Sequence, residues 1–100
     1  MSEYHLKITP QADEELEDIA YFIALDNPLA SKRFVTKLIA AFNTVLKRFP
    51  ESGVIYKEDI RQFSYKGYTA FYRVNTLEKQ VEILHIVNLT KPLSARDIEF

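Results

Sequence analysis

Basic and aromatic side chains are interleaved over residues 60–77. This segment holds three cations, Arg61, Lys66 and Arg73, together with five aromatic residues and no acid. A small basic patch of this kind on a sheet could contact phosphate groups. His85 follows the segment, and an imidazole with a pKa near neutrality is the best general base that the chain offers. Arg61, Arg73 and His85 are the candidates for chemistry in this part of the chain.

Each candidate also has a structural interpretation. Arg61 falls on the more apolar face of its predicted strand, where a buried guanidinium would pair with a helix carboxylate such as Glu15. His85 lies between Leu84 and Ile86, which is the setting of a hydrogen-bonded core histidine. Three tyrosines of the segment could stack on bases, although aromatic residues in strands mostly pack. They are Tyr65, Tyr68 and Tyr72.

Composition limits the class of protein. At 100 residues and 47% apolar residues, we expect a single domain, residues 1–100, with one core. The chain has no cysteine and two histidines, so neither a disulfide nor a metal site is expected, and no cofactor is expected either. No apolar signal region and no run near the length of a membrane span is present, which fits a cytoplasmic protein. The isoelectric point near 6.1 is low for a dedicated nucleic-acid binder and favours a protein target.

Two amphipathic helices are predicted in the first half of the chain. Thr9 can cap the first helix, with Pro10 in its first turn. The second helix is expected from Pro28 to Phe49, with Asn27 as its cap and Pro50 as its stop. Apolar residues recur at helical spacing in both, and such stripes belong to a core more often than to a cofactor site.

The strands are predicted on either side of the helices. Tyr4, Leu6 and Ile8 alternate with polar residues in an opening strand, and three strands follow the helices, over residues 60–65, 68–74 and 81–89. Lys66-Gly67 predicts a two-residue hairpin turn. That turn puts Arg61 and Tyr72 on the more apolar face, which we expect to pack on the helices. The other face is then open to solvent and carries Gln62, Ser64, Thr69 and Arg73. A one-residue change in the turn would instead put Arg61 and Arg73 on the same face.

Charge is unevenly distributed although the net charge is only −1. Residues 1–27 carry seven acids and one base, whereas residues 28–49 carry five bases and no acid. An acidic first helix and a basic second helix could attract each other within a hairpin, or one charged face could bind a partner of opposite charge.

Taken together, the ordered motifs resemble the RelE/ParE superfamily of bacterial toxins. They cover nearly the whole chain. The resemblance implies an α+β fold of order β-α-α-β-β-β, with a helical hairpin packed on a small antiparallel sheet. It also implies a toxin of a type II toxin–antitoxin pair, once labelled plasmid stabilisation protein. The matching motifs are Tyr4-x-Leu6-x-Ile8, Ala12-x-x-Glu15-Leu16-x-x-Ile19-x-x-Phe22-Ile23, Asn27-Pro28-x-Ala30, Phe49-Pro50-x-x-Gly53, Arg61, Gly67-Tyr68, Phe71-Tyr72-Arg73-Val74 and Val81-Glu82-Ile83-Leu84.

The superfamily implies two alternative targets. RelE-like members cleave mRNA in the ribosomal A site, and ParE-like members poison DNA gyrase. Metal-free RNA cleavage requires a base, an acid and fixed cations. Many RelE-like toxins have an arginine directly after the Gly-Tyr of the hairpin, where this chain has Thr69, and a histidine or further arginines just past the last strand. The cations and base that remain as catalytic candidates are Arg73, His85, Lys91 and, in the other register, Arg61.

The missing cations favour a ParE-like toxin that poisons gyrase. A ribosome-dependent mRNA endonuclease is the runner-up, and a degenerate, non-toxic interaction module is a third interpretation. The resemblance also implies an antitoxin whose C-terminal segment folds onto the toxin. The basic start of the second helix is the predicted landing site, and both a homodimer and a toxin–antitoxin hetero-oligomer stay open. The residues of that landing site are Lys32, Arg33, Phe34 and Lys37.

Overall fold

A helical hairpin packs on one face of a five-stranded sheet in the computed structural model, which describes residues 4–88. This architecture confirms the predicted α+β class. No helix within these residues has the length and apolar character needed to cross a membrane. The elements are β1 (His5–Ile8), α1 (Pro10–Ala24), α2 (Pro28–Arg48), β2 (Val54–Lys57), β3 (Ile60–Tyr65), β4 (Tyr68–Asn75) and β5 (Gln80–Asn88).

Both helices begin at the predicted caps. The Thr9 hydroxyl oxygen accepts a hydrogen bond from the backbone N–H of Ala12 at 3.3 Å and donates to the carbonyl of Ile83 at 2.8 Å. One side chain therefore starts α1 and ties it to β5. Asn27 caps α2 by accepting from the N–H of Ala30 at 3.0 Å, with Pro28 at the first helical position.

The sheet has the order β1-β5-β4-β3-β2 and is mixed, not purely antiparallel as expected. β1 pairs with β5 in parallel, and the other neighbours are antiparallel. The helices carry the chain across one face of the sheet between β1 and the later strands, which allows β1 to run parallel to β5. β2 was not anticipated as a separate strand. It ends at a turn in which Glu58 has a φ of 53°.

The β3–β4 hairpin has the predicted two-residue turn and register. Lys66 and Gly67 have φ angles of 49° and 87°, as in a type I′ turn, which suits the twist of the two strands. Tyr65 pairs with Tyr68 and Arg61 pairs with Tyr72. The face that holds these pairs packs on the helices, as predicted.

The main core lies between this face and the helix hairpin. It combines small and large side chains, so that the helices approach the sheet closely. Its fully or nearly fully buried members are Ala12, Leu16, Leu38, Phe42, Leu46, Ala70, Tyr72, Val81, Ile83 and Ile86.

The opposite face of the sheet is not the open surface that the alternation predicted. Ile60, Phe71 and Val87 form a second buried cluster on it, and Thr69 is fully buried. The β4–β5 register shifts between Phe71 and Tyr72, which leaves Leu84 as an extra residue that packs against this cluster. A β-bulge of this kind cannot be read from alternation alone, because alternation assumes an unbroken ladder.

Candidate functional site

Glu15 of α1 covers an edge of β5. β1 pairs with β5 only as far as Ile83, opposite Ile8. Beyond that point Glu15 Oε1 accepts a hydrogen bond from the backbone N–H of Ile86 at 2.8 Å, and Glu15 Oε2 lies 3.0 Å from His85 Nδ1. The carboxylate thus provides the acceptor that a neighbouring strand would provide.

The contact between Glu15 and His85 has two chemical interpretations. A carboxylate at Nδ1 fixes the tautomer and orientation of an imidazole, which is how many general bases are held. The same contact also satisfies a histidine inside a fold. Only 11% of the His85 side chain and 22% of the Glu15 side chain are exposed, so a substrate has little access to the pair. The geometry favours the structural interpretation.

Arg73 lies among carboxylates. Its Nε is 3.0 Å from Asp59 Oδ2, an ion pair whose angle falls short of a hydrogen bond. Glu82 occupies the paired position on β5. Two acids beside one guanidinium reduce the positive potential that a phosphate would meet. Arg73 is engaged by Asp59 of the β2–β3 turn and His85 by Glu15 of α1, so the two side chains have separate partners.

Arg61 holds the loop between α2 and β2. Its Nη1 donates to the carbonyls of Gly53 at 2.9 Å and Glu51 at 3.2 Å, and its Nη2 lies 3.5 Å from a Glu51 carboxylate oxygen. The expectation that Arg61 pairs with Glu15 was wrong, because Glu15 is occupied at the opposite edge of the sheet. Arg61 is engaged by a loop that lies nearby in sequence.

Tyr72, the cross-strand neighbour of Arg61, also holds the loop between α2 and β2. Its phenol oxygen accepts a hydrogen bond from the Gly53 N–H at 2.9 Å. Burial raises the pKa of the Tyr72 phenol above its ordinary value of 10.0, and the contact with Gly53 and the charge of Arg61 partly oppose that rise. A Cβ at Gly53 would overlap the Tyr72 oxygen, so a larger residue at this position forces the neighbouring atoms to shift.

The remaining candidate positions offer no cation to a substrate within the described residues. Thr69, at the position where many RelE-like toxins carry an arginine, is buried and shares a hydrogen bond of 2.8 Å with the Ser64 hydroxyl. Lys91 lies outside the described residues.

A basic groove lies where α1 ends, α2 begins and the β3–β4 turn meets them. Its volume is about 380 Å³. Three of the four residues predicted to bind an antitoxin, Arg33, Phe34 and Lys37, line it, whereas Lys32 is exposed outside it. The sequence analysis did not place Tyr65 and Lys66 beside α2, because only the tertiary fold brings the hairpin turn to this helix. The residues that line the basic groove are Ile23, Asn27, Leu29, Ala30, Arg33, Phe34, Lys37, Tyr65 and Lys66.

Cations and apolar surface occur together at the basic groove. Among residues 4–88, its cations are Arg33, Lys37 and Lys66, and no acid of these residues lines it. The ring of Phe34 packs on that of Tyr68 with centroids 5.3 Å apart. Leu29 also lines the groove, yet 62% of it is exposed. Further exposed apolar side chains lie close by in sequence, at the end of α1. They are Tyr21, Phe22 and Leu25.

Comparison with known proteins identifies the family. The sequence profile of the ParE toxin of type II toxin–antitoxin systems, parDE, matches residues 6–89. The chain belongs to the ParE toxin family. The resemblance inferred from the motifs is thereby confirmed at family level. A search of characterised protein sequences gave no significant match.

Solved structures share the fold of this ParE-family chain. A chain of the chromosomal ParDE system from P. aeruginosa is 21% identical, with a TM-score of 0.73 over 86% of this chain and 96% of that one. A chain of the RelBE2 toxin–antitoxin complex from Mycobacterium tuberculosis is 18% identical, with a TM-score of 0.69 over 88% and 93%. A chain of the intact E. coli RelBE complex is 17% identical, with a TM-score of 0.53 over 85% and 95%. Because ParDE and RelBE structures both match, the fold does not separate the two kinds of target.

The part of this ParE-family toxin that the structure describes contains no group of side chains suited to bind a metal ion. No three His, Asp or Glu side chains of residues 4–88 lie close enough together to hold a metal ion. What those residues do present is a basic, partly apolar groove and a set of engaged charges on the sheet.

Proposed function

We propose that this ParE-family toxin arrests growth by acting on a protein, DNA gyrase, and does not cut mRNA. One observation carries the proposal. Each base or cation nominated for RNA cleavage within residues 4–88 is already engaged: His85 by Glu15, Arg73 by Asp59 and Arg61 by the loop around Gly53. RNA cleavage without a metal depends on fixed cations directed at the phosphate. In this protein the candidate side chains contact other groups of the protein instead.

The charge of the whole chain supports the same proposal. A toxin that holds mRNA by its phosphates benefits from a basic surface, whereas this chain has a net charge of −1. The basic groove is the exception, but apolar residues make up much of its lining, as expected of a site for protein.

The two targets leave different damage in a cell. After induction of the toxin, gyrase poisoning is expected to produce double-strand breaks in the chromosome while mRNA stays intact. Codon-specific mRNA cuts seen by primer extension, and lost in a His85→Gln variant, would promote the ribosome-dependent endonuclease in place of gyrase poisoning. Lys91→Gln should be tested beside it, because Lys91 is the fourth nominated residue.

We also propose that an antitoxin neutralises the toxin at the basic groove. The matched ParDE and RelBE structures are of toxin–antitoxin systems. An acidic amphipathic segment would place its carboxylates against Arg33, Lys37 and Lys66 and its apolar side chains on Leu29 and the neighbouring rings. Ordering such a segment costs free energy, and the apolar contacts are needed to offset that cost.

A further inference from the structure

The outer strand β2 presents an apolar edge. Among residues 4–88, β2 is the last strand of the sheet and pairs only with β3. All four of its residues are exposed, with Val54 at 68% and Ile55 at 59%. Edge strands are usually protected by charge, proline or a covering element, because their unpaired backbone groups can pair with another chain. Lys57 and the irregular pairing between Ile55 and Lys57 protect one end of this edge, whereas Val54 and Ile55 leave the other end apolar.

An acidic cavity of about 220 Å³ lies beside this edge. Ile55 and Val74 supply apolar lining, and three carboxylates line it together with one cation, Arg61. The carboxylates are those of Glu51, Glu58 and Asp59. Glu51 pairs with Arg61 and Asp59 pairs with Arg73. Within residues 4–88, Glu58 takes part in no ion pair, so the cavity retains negative charge.

This edge is remote from the basic groove. Leu29 and Arg33 lie in the first turns of α2, and Phe49, which ends α2, leads into the loop before β2. The 21 residues of α2 span roughly 30 Å at 1.5 Å per residue. The molecule therefore has two partly apolar surfaces of opposite charge at opposite ends of α2.

We propose that the β2 edge binds an extended, cationic segment of a partner protein. The segment pairs its backbone with β2 and places a lysine or arginine over the acidic cavity beside Glu58. Val54 and Ile55 supply apolar contacts. The negative charge selects against the acidic segment that suits the basic groove, so the two surfaces take different partners. The proposal is independent of the gyrase target.

A second copy of this chain suits the edge less well. Antiparallel pairing of two β2 strands would bring the acidic cavities of both copies to one interface. Like charges brought together oppose association. A cationic partner avoids this cost.

The probe is a capped hexapeptide of alternating valine and lysine, titrated onto the full chain in complex with its antitoxin. A valine–glutamate peptide controls for charge, and a valine–lysine peptide methylated on alternate backbone nitrogens controls for strand pairing. The valine–lysine peptide should bind at least about tenfold more tightly than either control, since charge and backbone pairing both contribute. Equal binding of the three peptides would overturn the proposal.

Variants locate the site. Glu58→Lys should weaken binding of the valine–lysine peptide by about fivefold to tenfold, whereas Glu17→Lys, the same charge change on the exposed face of α1, should leave it unchanged. Ile55→Thr keeps the β-branched shape and should also weaken binding. Glu58→Gln serves if Glu58→Lys does not fold, as judged by its melting temperature. Equal effects of the Glu58 and Glu17 variants, or a concentration-dependent dimer abolished by Ile55→Thr, would contradict the proposal.

Discussion

The phenol oxygen of Tyr72 and the backbone N–H of Gly53 form a hydrogen bond of 2.9 Å across 19 positions of sequence. Tyr72 is fully buried, and a Cβ at residue 53 would overlap its oxygen. Arg61 donates to the carbonyl of the same glycine at 2.9 Å. Both backbone groups of Gly53 are therefore satisfied by side chains of one strand pair, and this fixes the path by which the chain leaves α2 and enters β2.

Replacing Tyr72 with phenylalanine should destabilise the fold and change its response to alkaline pH. The variant leaves the buried Gly53 N–H without its acceptor, which costs about 1–3 kcal/mol. Since burial raises the folded pKa of Tyr72, its phenol stabilises the fold fully below pH 10.0, and that stability is lost as the pH rises through the folded value. Denaturant unfolding from neutral to strongly alkaline pH should show a weaker alkaline loss in Tyr72→Phe than in the parent. An identical alkaline loss would show that Tyr72 does not titrate with unfolding.

Replacing Gly53 with alanine should cost about 1–3 kcal/mol through overpacking. The new Cβ would meet the Tyr72 oxygen and the carbonyl of Gln62. Removing that oxygen relieves one of these clashes, so Gly53→Ala should cost less in a Tyr72→Phe background than in the parent. A double-mutant cycle measures this coupling, and strictly additive free energies would refute the close contact.

Replacing Glu15 with alanine should lower stability by about 1–3 kcal/mol, because the N–H of Ile86 and the imidazole of His85 lose a shared acceptor. Glu14→Ala is the matched control, since Glu14 is exposed on the same helix and should change stability by less than about 0.5 kcal/mol. Thermal melting compares the two. If Glu15→Ala abolishes growth arrest without lowering the melting temperature, the His85–Glu15 pair is catalytic and the structural interpretation is wrong.

The basic groove should govern association with the antitoxin. At moderate salt, Arg33→Gln and Lys37→Gln should each slow association several-fold, because charge mainly steers encounter. Lys32→Gln is the control, because Lys32 is next to Arg33 in sequence but does not line the groove. Salt screens its charge from a partner bound in the groove, so this variant should change the association rate less. Leu29→Ser should speed dissociation by removing an apolar anchor. Stopped-flow mixing and surface-bound dissociation measure these rates. Equal effects of Lys32, Arg33 and Lys37 would place the antitoxin elsewhere.

The sequence predicted the elements whose signals are local. Thr9 and Asn27 marked the helix starts, Lys66-Gly67 set the hairpin register, and alternation identified the face that meets the helices. Features that depend on distant contacts were missed, such as the parallel pairing of β1 and the burial of Thr69.

The candidate site shows the same limit. Arg61 and Glu15 are both engaged, as charges within a fold must be, but the partners are Glu51 and His85. Sequence can predict that a buried charge has a partner, whereas the fold decides which one. Likewise, the sequence showed that α2 begins with basic residues, among them Arg33 and Lys37. The fold of the β3–β4 hairpin is what brings Lys66 next to them.

The most direct test of the proposed function is a cleavage assay with purified components. Toxin freed from its antitoxin is titrated into gyrase, ATP and supercoiled plasmid, and the reactions are stopped with detergent and protease. In parallel, the same toxin is added to ribosomes programmed with mRNA, which is then analysed by primer extension. We predict linear plasmid that increases with toxin concentration, and mRNA that stays uncut. Intact supercoiled plasmid together with cuts in the A-site codon would contradict the proposed function.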